Sequence, residues 1–225
     1  MNVEGRYIRN MSRGVHKDSD GKIYIGNSHF RLKRSAPKGS GARQTSTQVT
    51  AARMLGASYL SCSAASGGSY NGYYTWARFG FEHHDGSGVP SERIRAWGGN
   101  SLYAAAVKDS EGNEYKGEDL YKLLKEMFGE KDSYLLSEIM MVQGPMIPFR
   151  INARRNGNRP LGAEMWKRFG SQFGARFSVE DDSNSMNVLN GYVEGSSNGN
   201  RQGWYERARG RQGSIELVTG DARYL

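Results

Sequence analysis

The chain has 225 residues, of which 37% are hydrophobic and 24% are charged, and it carries a formal net charge of +8. That length is enough for one hydrophobic core with a small appended lobe. No run approaches the roughly 20 apolar residues of a membrane helix, the N-terminal segment lacks the apolar stretch of a signal peptide, and the single cysteine, Cys62, excludes an internal disulfide. These features predict a cytoplasmic protein, or a virion-associated one if the chain is virus-encoded.

The first predicted element is a β-hairpin in the N-terminal region. Its strands are residues 3–9 and 23–33, and Asp20-Gly21 is the turn signal between them. The apolar phase of the second strand changes near Gly26-Asn27, which predicts a β-bulge at that point.

A tight loop, a helix and a buried strand are predicted next. Thr45 or Ser46 is the expected N-cap of the helix, and Gly56 suits the position just past its end. The predicted loop, helix and strand cover, in order, residues 35–44, 45–56 and 57–65.

The remaining prediction is a largely helical second half. An aromatic helix that ends at Gly80 is followed by a loop over 82–92, and Ser183 is the expected cap of the last helix. Further helices are predicted over 116–130, 133–144, 160–169 and 183–195, a basic loop over 154–160, and a strand over 175–180. Together these elements predict one mixed α/β domain over residues 1–195, with a helical extension at 110–195 and a Gly/Arg-rich tail at 196–225.

The glycine loop before the first helix is the best candidate for chemistry. A loop that opens a helix presents unpaired backbone N–H groups to an anion, and glycine lets a ligand approach the main chain. Lys38 and Arg43 add positive charge, which suits a pyrophosphate. On this feature alone, an ordinary turn before a helix is an equal alternative.

A longer pattern within residues 23–82, GSGARQTSTQVTAARMLGASYLSCSAA…YNGYYTWARFGFE, resembles the central motif of the GCN5-related N-acetyltransferase (GNAT) superfamily. The matching positions are Gly39, Gly41, Ala52, Gly56, Asn71 and Gly80-Phe81. The resemblance implies a GNAT-like mixed central sheet flanked by helices, with acetyl-CoA as the cofactor. It also implies that the coenzyme is held by Lys38, Gly39, Ser40, Gly41, Ala42, Arg43 and Asn71.

The chain departs from the family pattern at two positions. Ala36 replaces the usual Gln or Arg before the first glycine, and Trp76 stands where the family often has a proton-donating Tyr. Tyr73 and Tyr74 are therefore the candidate proton donors for the leaving thiolate.

A titratable run directly follows the aromatic helix, at residues 82–85. His83 or His84 is the candidate base for the acceptor amine, because histidine titrates near neutral pH. A solvated loop with incidental histidines is the alternative. No HxxxH or CxxC spacing occurs, so no metal site is predicted.

Two functions remain open from the sequence. The first is an acetyl-CoA-binding N-acetyltransferase that acts on an unidentified amine. The second is a basic protein without catalytic activity that associates with nucleic acid or serves as a structural assembly protein. One form of this second hypothesis is that the protein is encoded by a virus. Residues 1–45 carry a net +7, and the tail around Trp204-Tyr205 is rich in Arg and Gly; both features favour a phosphate-bearing partner such as nucleic acid.

Overall fold

The computed structural model describes residues 2–3, 5–37, 39–67, 70–99, 106–142, 144–152 and 155–197. No helix within these ranges is long and apolar enough to cross a membrane. The helices of this part of the chain are α1 (Ser40–Met54), α2 (Gly72–Arg78), α3 (Ser91–Arg95), α4 (Gly117–Phe128), α5 (Leu136–Met141), α6 (Leu161–Phe169) and α7 (Asn184–Ser197).

The strands are numbered in chain order in the same way. They are β1 (Asn2–Val3), β2 (Ile8–Lys17), β3 (Ile23–Leu32), β4 (Tyr59–Ala64), β5 (Ser66–Gly67), β6 (Tyr70–Asn71), β7 (Glu82–His83), β8 (Val89–Pro90), β9 (Val107–Lys108), β10 (Glu114–Tyr115), β11 (Ser133–Tyr134), β12 (Met146–Asn152), β13 (Arg155–Pro160) and β14 (Phe173–Ser178). The main sheet has six strands in the order β1-β2-β3-β4-β14-β7. Its β3–β4 pair is parallel and its other pairs are antiparallel, so the sheet is mixed, as predicted.

The predicted hairpin is present, but its first strand lies later in the chain than expected. The carboxylate of Asp18 accepts hydrogen bonds from the N–H groups of Asp20 and Lys22, which closes the turn between β2 and β3. The predicted bulge lies one residue past Asn27. The pairing shifts there, so that Ser28 has no opposite residue on β2.

Helix α1 begins earlier than the sequence predicted. Gly39 has a left-handed backbone with φ 80° and is the residue that precedes the helix, so the expected cap at Thr45 or Ser46 is wrong. The Thr45 hydroxyl instead donates to the carbonyl of Gly41 inside the helix. The predicted end is confirmed: Gly56 has φ 68°, and the N–H groups of Gly56 and Ala57 bond back to the last turn.

The core consists of two hydrophobic clusters. One lies between the main sheet and α1, α2 and α7, and the other is formed mainly by α2 through α6 with their short strands. Tyr73 and Phe173 pack against both clusters and so connect them. Fully buried members of the two clusters include Leu60, Phe81, Phe177, Leu120, Leu124, Ile139 and Leu161.

The second half of the described chain is more mixed than the predicted helical extension. Its helices alternate with strands, and the predicted loop at 154–160 largely coincides with β13, which pairs with β12. The predicted helix over 160–169 is present, but Pro160 lies directly before its first turn, because α6 begins at Leu161. The hydroxyl of Ser183 accepts the N–H of Met186, which confirms the predicted cap of α7. The predicted tail beyond residue 197 lies outside the described residues.

Candidate functional site

The two parallel strands of the sheet are joined along only part of their length. Their pairing runs from Tyr24–Tyr59 to Asn27–Cys62, while β3 continues to Leu32 and β4 to Ala64. The bulge at Ser28 follows the last pair directly, and a bulge bends its strand. Beyond Asn27, the edge of β3 that faces β4 therefore has no strand partner among the described residues. We call this break in the pairing the β3–β4 opening.

The first turn of α1 lies near the far end of β3. The N–H of Arg43 bonds to the carbonyl of Gly39 at 3.0 Å, and the N–H of Ser40 bonds to Pro37 at 3.2 Å. The turn carries no acidic side chain, so the positive end of the helix dipole is not neutralised from within it. Gly41 and Ala42 are buried, whereas Gly39 and Ser40 are half-buried and Arg43 is exposed. The prediction of unpaired main-chain donors is therefore wrong for Ser40 and Arg43, whose N–H groups are already bonded within the chain. What these accessible residues offer a phosphate is the hydroxyl of Ser40, the charge of Arg43 and the positive end of the helix dipole.

The fold itself explains why glycine occupies positions 39 and 41, without any bound ligand. Gly39 adopts the left-handed conformation that glycine takes at little cost. A Cβ at Gly41 would lie 2.9 Å from the ring of Phe79, so this position must stay small for α1 to pack against the end of α2. The glycines therefore fix the start of α1 whether or not a phosphate binds there.

A buried amide marks the last paired position before the opening. The side chain of Asn27 is 7% exposed, and its carbonyl oxygen accepts a 2.7 Å hydrogen bond from Gln48 of α1. Its Nδ2 is buried and has no hydrogen-bond partner in the described part of the chain. A buried donor without an acceptor costs about 1–3 kcal/mol, so a ligand carbonyl at this point would remove that penalty.

Aromatic side chains connect the opening to α2. Trp76 lies 5.8 Å from Phe30 of β3 and 4.8 Å from Phe81, measured between ring centroids. Trp76 is only 8% exposed, so the residue at the family's usual Tyr position is part of the hydrophobic core. Helix α2 starts at the end of β4, where the N–H of Tyr73 bonds to the carbonyl of Ala65.

The two candidate proton donors differ in position: Tyr73 packs against both hydrophobic clusters, whereas Tyr74 belongs to the cluster formed by α2 through α6. The hydroxyl of Tyr73 donates to the carbonyl of Lys167 at 2.6 Å, and burial raises the pKa of this phenol above its ordinary value. Tyr73 is therefore protonated at neutral pH. Tyr74 is buried, and the charged groups of Arg78, Arg159 and Lys167 lie 5.3–5.4 Å from its ring centroid.

The candidate bases lie on a different strand. His83 is in β7, the edge strand that β14 separates from β4, and His84 directly follows it. The ring of His83 stacks on Phe173 at 5.0 Å, and burial lowers its pKa, so it is neutral at pH 7. His84 is exposed, and its ring meets Tyr59 edge-on at 6.2 Å. The structure thus does not bring either histidine to the β3–β4 opening.

The neighbouring carboxylate of Glu82 is engaged elsewhere. It accepts hydrogen bonds from the N–H groups of Leu136 and Ser137, the first two residues of α5. Two predicted coenzyme contacts cannot be placed: Lys38 lies outside the described residues, and only the backbone of Asn71 is described, at the end of β6. Within the described ranges no three His, Cys, Asp or Glu side chains come together as metal ligands.

A row of stacked rings on the main sheet was not predicted from the sequence. His16 and Tyr24 are cross-strand neighbours, and Tyr24 is in turn paired with Tyr59. The signal was present in the hairpin, because a turn centred on Asp20 and Gly21 places residues 16 and 24 nearly opposite each other.

Comparison of the chain with protein-family models, with curated proteins and with solved structures finds no match. Its function has therefore to be argued from the geometry.

Proposed function

We propose that the chain is an acetyl-CoA-binding, N-acetyltransferase-like protein that transfers an acyl group to an amine. The observation that carries this proposal is the β3–β4 opening, where a parallel strand pair separates near the start of a helix. The pantetheine arm of coenzyme A is an extended chain with two amides, so it can hydrogen-bond to the free edge of β3 as a strand would. Its pyrophosphate suits the positive end of α1.

The pyrophosphate and the pantetheine arm of the coenzyme each have a candidate contact. Gly39, Ser40 and Arg43 are the accessible groups of the first turn of α1, and Lys38 precedes them in the chain. The buried Nδ2 of Asn27 offers a donor to a pantetheine carbonyl at the point where the two strands part. The resemblance of residues 23–82 to the acetyltransferase motif favours the same arrangement.

The chemistry of the proposal is a displacement at the thioester carbonyl. The amine nitrogen forms a bond to that carbon, the carbon–sulfur bond breaks, and the thiolate takes up a proton while the amine loses one. Tyr73 is protonated at neutral pH and is the second residue of α2, beside the end of β4, so it is the first candidate donor, with Tyr74 the second. To protonate the thiolate, its hydroxyl must leave the carbonyl of Lys167. His83 and His84 remain the candidate bases, and they act in this scheme only if the acceptor extends past β14.

The phosphate contact is tested by placing a negative charge at the start of α1. Ser40→Glu should weaken acetyl-CoA binding about tenfold or more, because the added carboxylate repels the pyrophosphate. The same charge at a helix N-terminus stabilises the helix by about 0.3–1 kcal/mol, so the fold is expected to persist. Ser40 is preferable to Gly41, where any side chain would strike Phe79. Binding is measured by titration calorimetry and folding by thermal melting.

Thr50→Glu is the matched control. Thr50 is an exposed residue of the same helix, about 15 Å along its axis from Ser40 at 1.5 Å per residue. The Thr50→Glu substitution introduces the same charge away from the proposed phosphate site and should leave acetyl-CoA binding unchanged. Equal binding by wild type and Ser40→Glu, or equal losses in both variants, would remove the first turn of α1 from the proposal.

A further inference from the structure

The second face of the main sheet, opposite the one packed on α1, carries a stack of three rings. His16 lies 5.1 Å from Tyr24, and Tyr24 lies 4.9 Å from Tyr59 with only 4° between the ring planes. The guanidinium of Arg176 lies 4.0 Å from the centroid of Tyr59. Because Arg176 comes from β14, on the other side of β4 from Tyr24, it closes that end of the stack.

The other end of the stack is open. His16 is exposed, and the next strand outward, β1, pairs only with Met11 and Ser12. No strand among the described residues therefore lies beyond the His16 ring at this row of the sheet. An incoming planar ring can continue the stack at that end.

A row of small residues runs beside the rings. Gly14, Gly26 and Ser61 are cross-strand neighbours in the adjacent row, which ends at Arg176. A Cβ at Gly14 would lie 2.5 Å from the ring of His16, and one at Gly26 would lie 3.1 Å from it. The glycines thus leave the space that the ring of His16 occupies above the sheet.

The same face continues along the hairpin with polar and basic groups. On β2 the side chains of alternate residues share a face, so Asn10 and Ser12 lie on the side of His16. Their partners on β3 are Arg31 and His29, and both are exposed. From His16 to Asn10 the strand spans about 20 Å at 3.3 Å per residue.

The carboxylates near this face are already engaged. Asp18 accepts hydrogen bonds from the N–H groups of Asp20 and Lys22 and from the hydroxyl of Tyr59. Glu82 is bound to the start of α5. Residues 1–45, which include the hairpin, carry a net +7, so the overall charge of this region favours an anionic partner although Asp18 and Asp20 lie in the hairpin turn.

We propose that this open face binds single-stranded nucleic acid. One base stacks on the outer side of His16 and a second on His29, while Arg31 contacts the phosphate backbone. The site lies on the opposite side of the sheet from the packed face of α1, so it does not depend on coenzyme binding. Free base faces and a flexible backbone are needed to follow the row, which is why the partner is a single strand rather than a duplex.

The test is fluorescence anisotropy with a labelled 12-nucleotide thymidine oligomer and the full chain. Wild type should bind with an affinity that falls as salt rises. His16→Ala should weaken binding about fivefold or more through the lost stacking contact, and His16→Tyr should retain it. Arg31→Ala should weaken binding and reduce the salt dependence by about one counterion. Lys122→Ala, which removes an exposed cation on α4, should bind like wild type.

The results separate this site from the basic tail. Loss in His16→Ala and Arg31→Ala, with normal melting curves, supports the proposal. Absence of binding by wild type at low salt overturns it. Wild-type affinity in both variants overturns it as well, because the oligomer would then be held elsewhere. Equal affinity for a duplex of the same length would also contradict it, since a duplex offers no free base to His16.

Discussion

At the scale of single residues, Glu82 has the clearest perturbed environment. Its carboxylate is enclosed at the start of α5, and desolvation raises its pKa to about 7 although it accepts two main-chain hydrogen bonds there. The neutral form is therefore favoured in the folded protein relative to the unfolded chain. The sequence placed this residue in a titratable run, but its partners lie more than 50 positions away, and no local pattern encodes them.

This environment predicts a pH-dependent stability. The ordinary pKa of Glu82 is 4.5, so its contribution is fully present below pH 4.5 and is lost as pH rises through about 7. Glu82→Gln should abolish this decline, which urea unfolding between pH 4.5 and pH 8 measures. His83, whose pKa is lowered, makes the folded protein less stable as pH falls below 6.5. The difference between the wild-type and Glu82→Gln profiles therefore isolates the contribution of Glu82. Parallel pH profiles for the two proteins would contradict the assignment.

Cys62 shows what the sequence could predict about a single residue. The small, apolar residues around it predicted a buried strand, and Cys62 is 8% exposed in β4. Burial raises its pKa well above the ordinary value, so little thiolate forms at neutral pH. Local sequence was sufficient here because a strand that is buried on both faces consists mostly of small and apolar residues.

At the scale of elements, the contact between α2 and α7 depends on one glycine. Gly80 has φ 90°, and a Cβ at this position would lie 2.5 Å from the carbonyl oxygen of Ser185. Gly80→Ala should destabilise the protein by about 1–3 kcal/mol for the backbone strain alone, with a further loss from the displaced α7. The measurement is the free energy of unfolding in urea.

Gly112→Ala is the control for that variant. Gly112 also has φ 90°, but nothing lies within 4 Å of its Cβ position. It carries the same backbone penalty without the clash. A Gly80→Ala loss no larger than that of Gly112→Ala would show that the α2–α7 contact contributes nothing beyond backbone strain.

The start of α1 shows where local signals mislead. Glycine is a poor helix former, so Gly39 and Gly41 predicted a loop that extends to residue 44. In the structure Gly41 lies inside α1, because its missing side chain lets Phe79 pack against the helix. Similarly, the Gly, Asn and Pro residues of 154–160 predicted a loop, but pairing with β12 makes most of the segment a strand. Tertiary contacts outweigh local propensity in both cases.

At the scale of the whole molecule, the order of strands decides which residues share a site. The sequence predicted the order strand, helix, strand within residues 23–65, though not the start of α1, because these elements are neighbours both in space and in the chain. It could not predict that β14 inserts between β4 and β7 and separates His83 and His84 from the β3–β4 opening. That insertion joins segments about 90 positions apart, as the pairing of His83 with Ala175 shows.

The central claim is that the β3–β4 opening and the start of α1 hold acetyl-CoA. Titration calorimetry of the full chain with acetyl-CoA tests it most directly. The predicted result is saturable binding of one coenzyme per chain, with coenzyme A as a competitor and a melting temperature that rises with ligand; at 100 times the Kd the stabilisation is about 2.7 kcal/mol. No binding heat and an unchanged melting temperature at millimolar acetyl-CoA would contradict the claim.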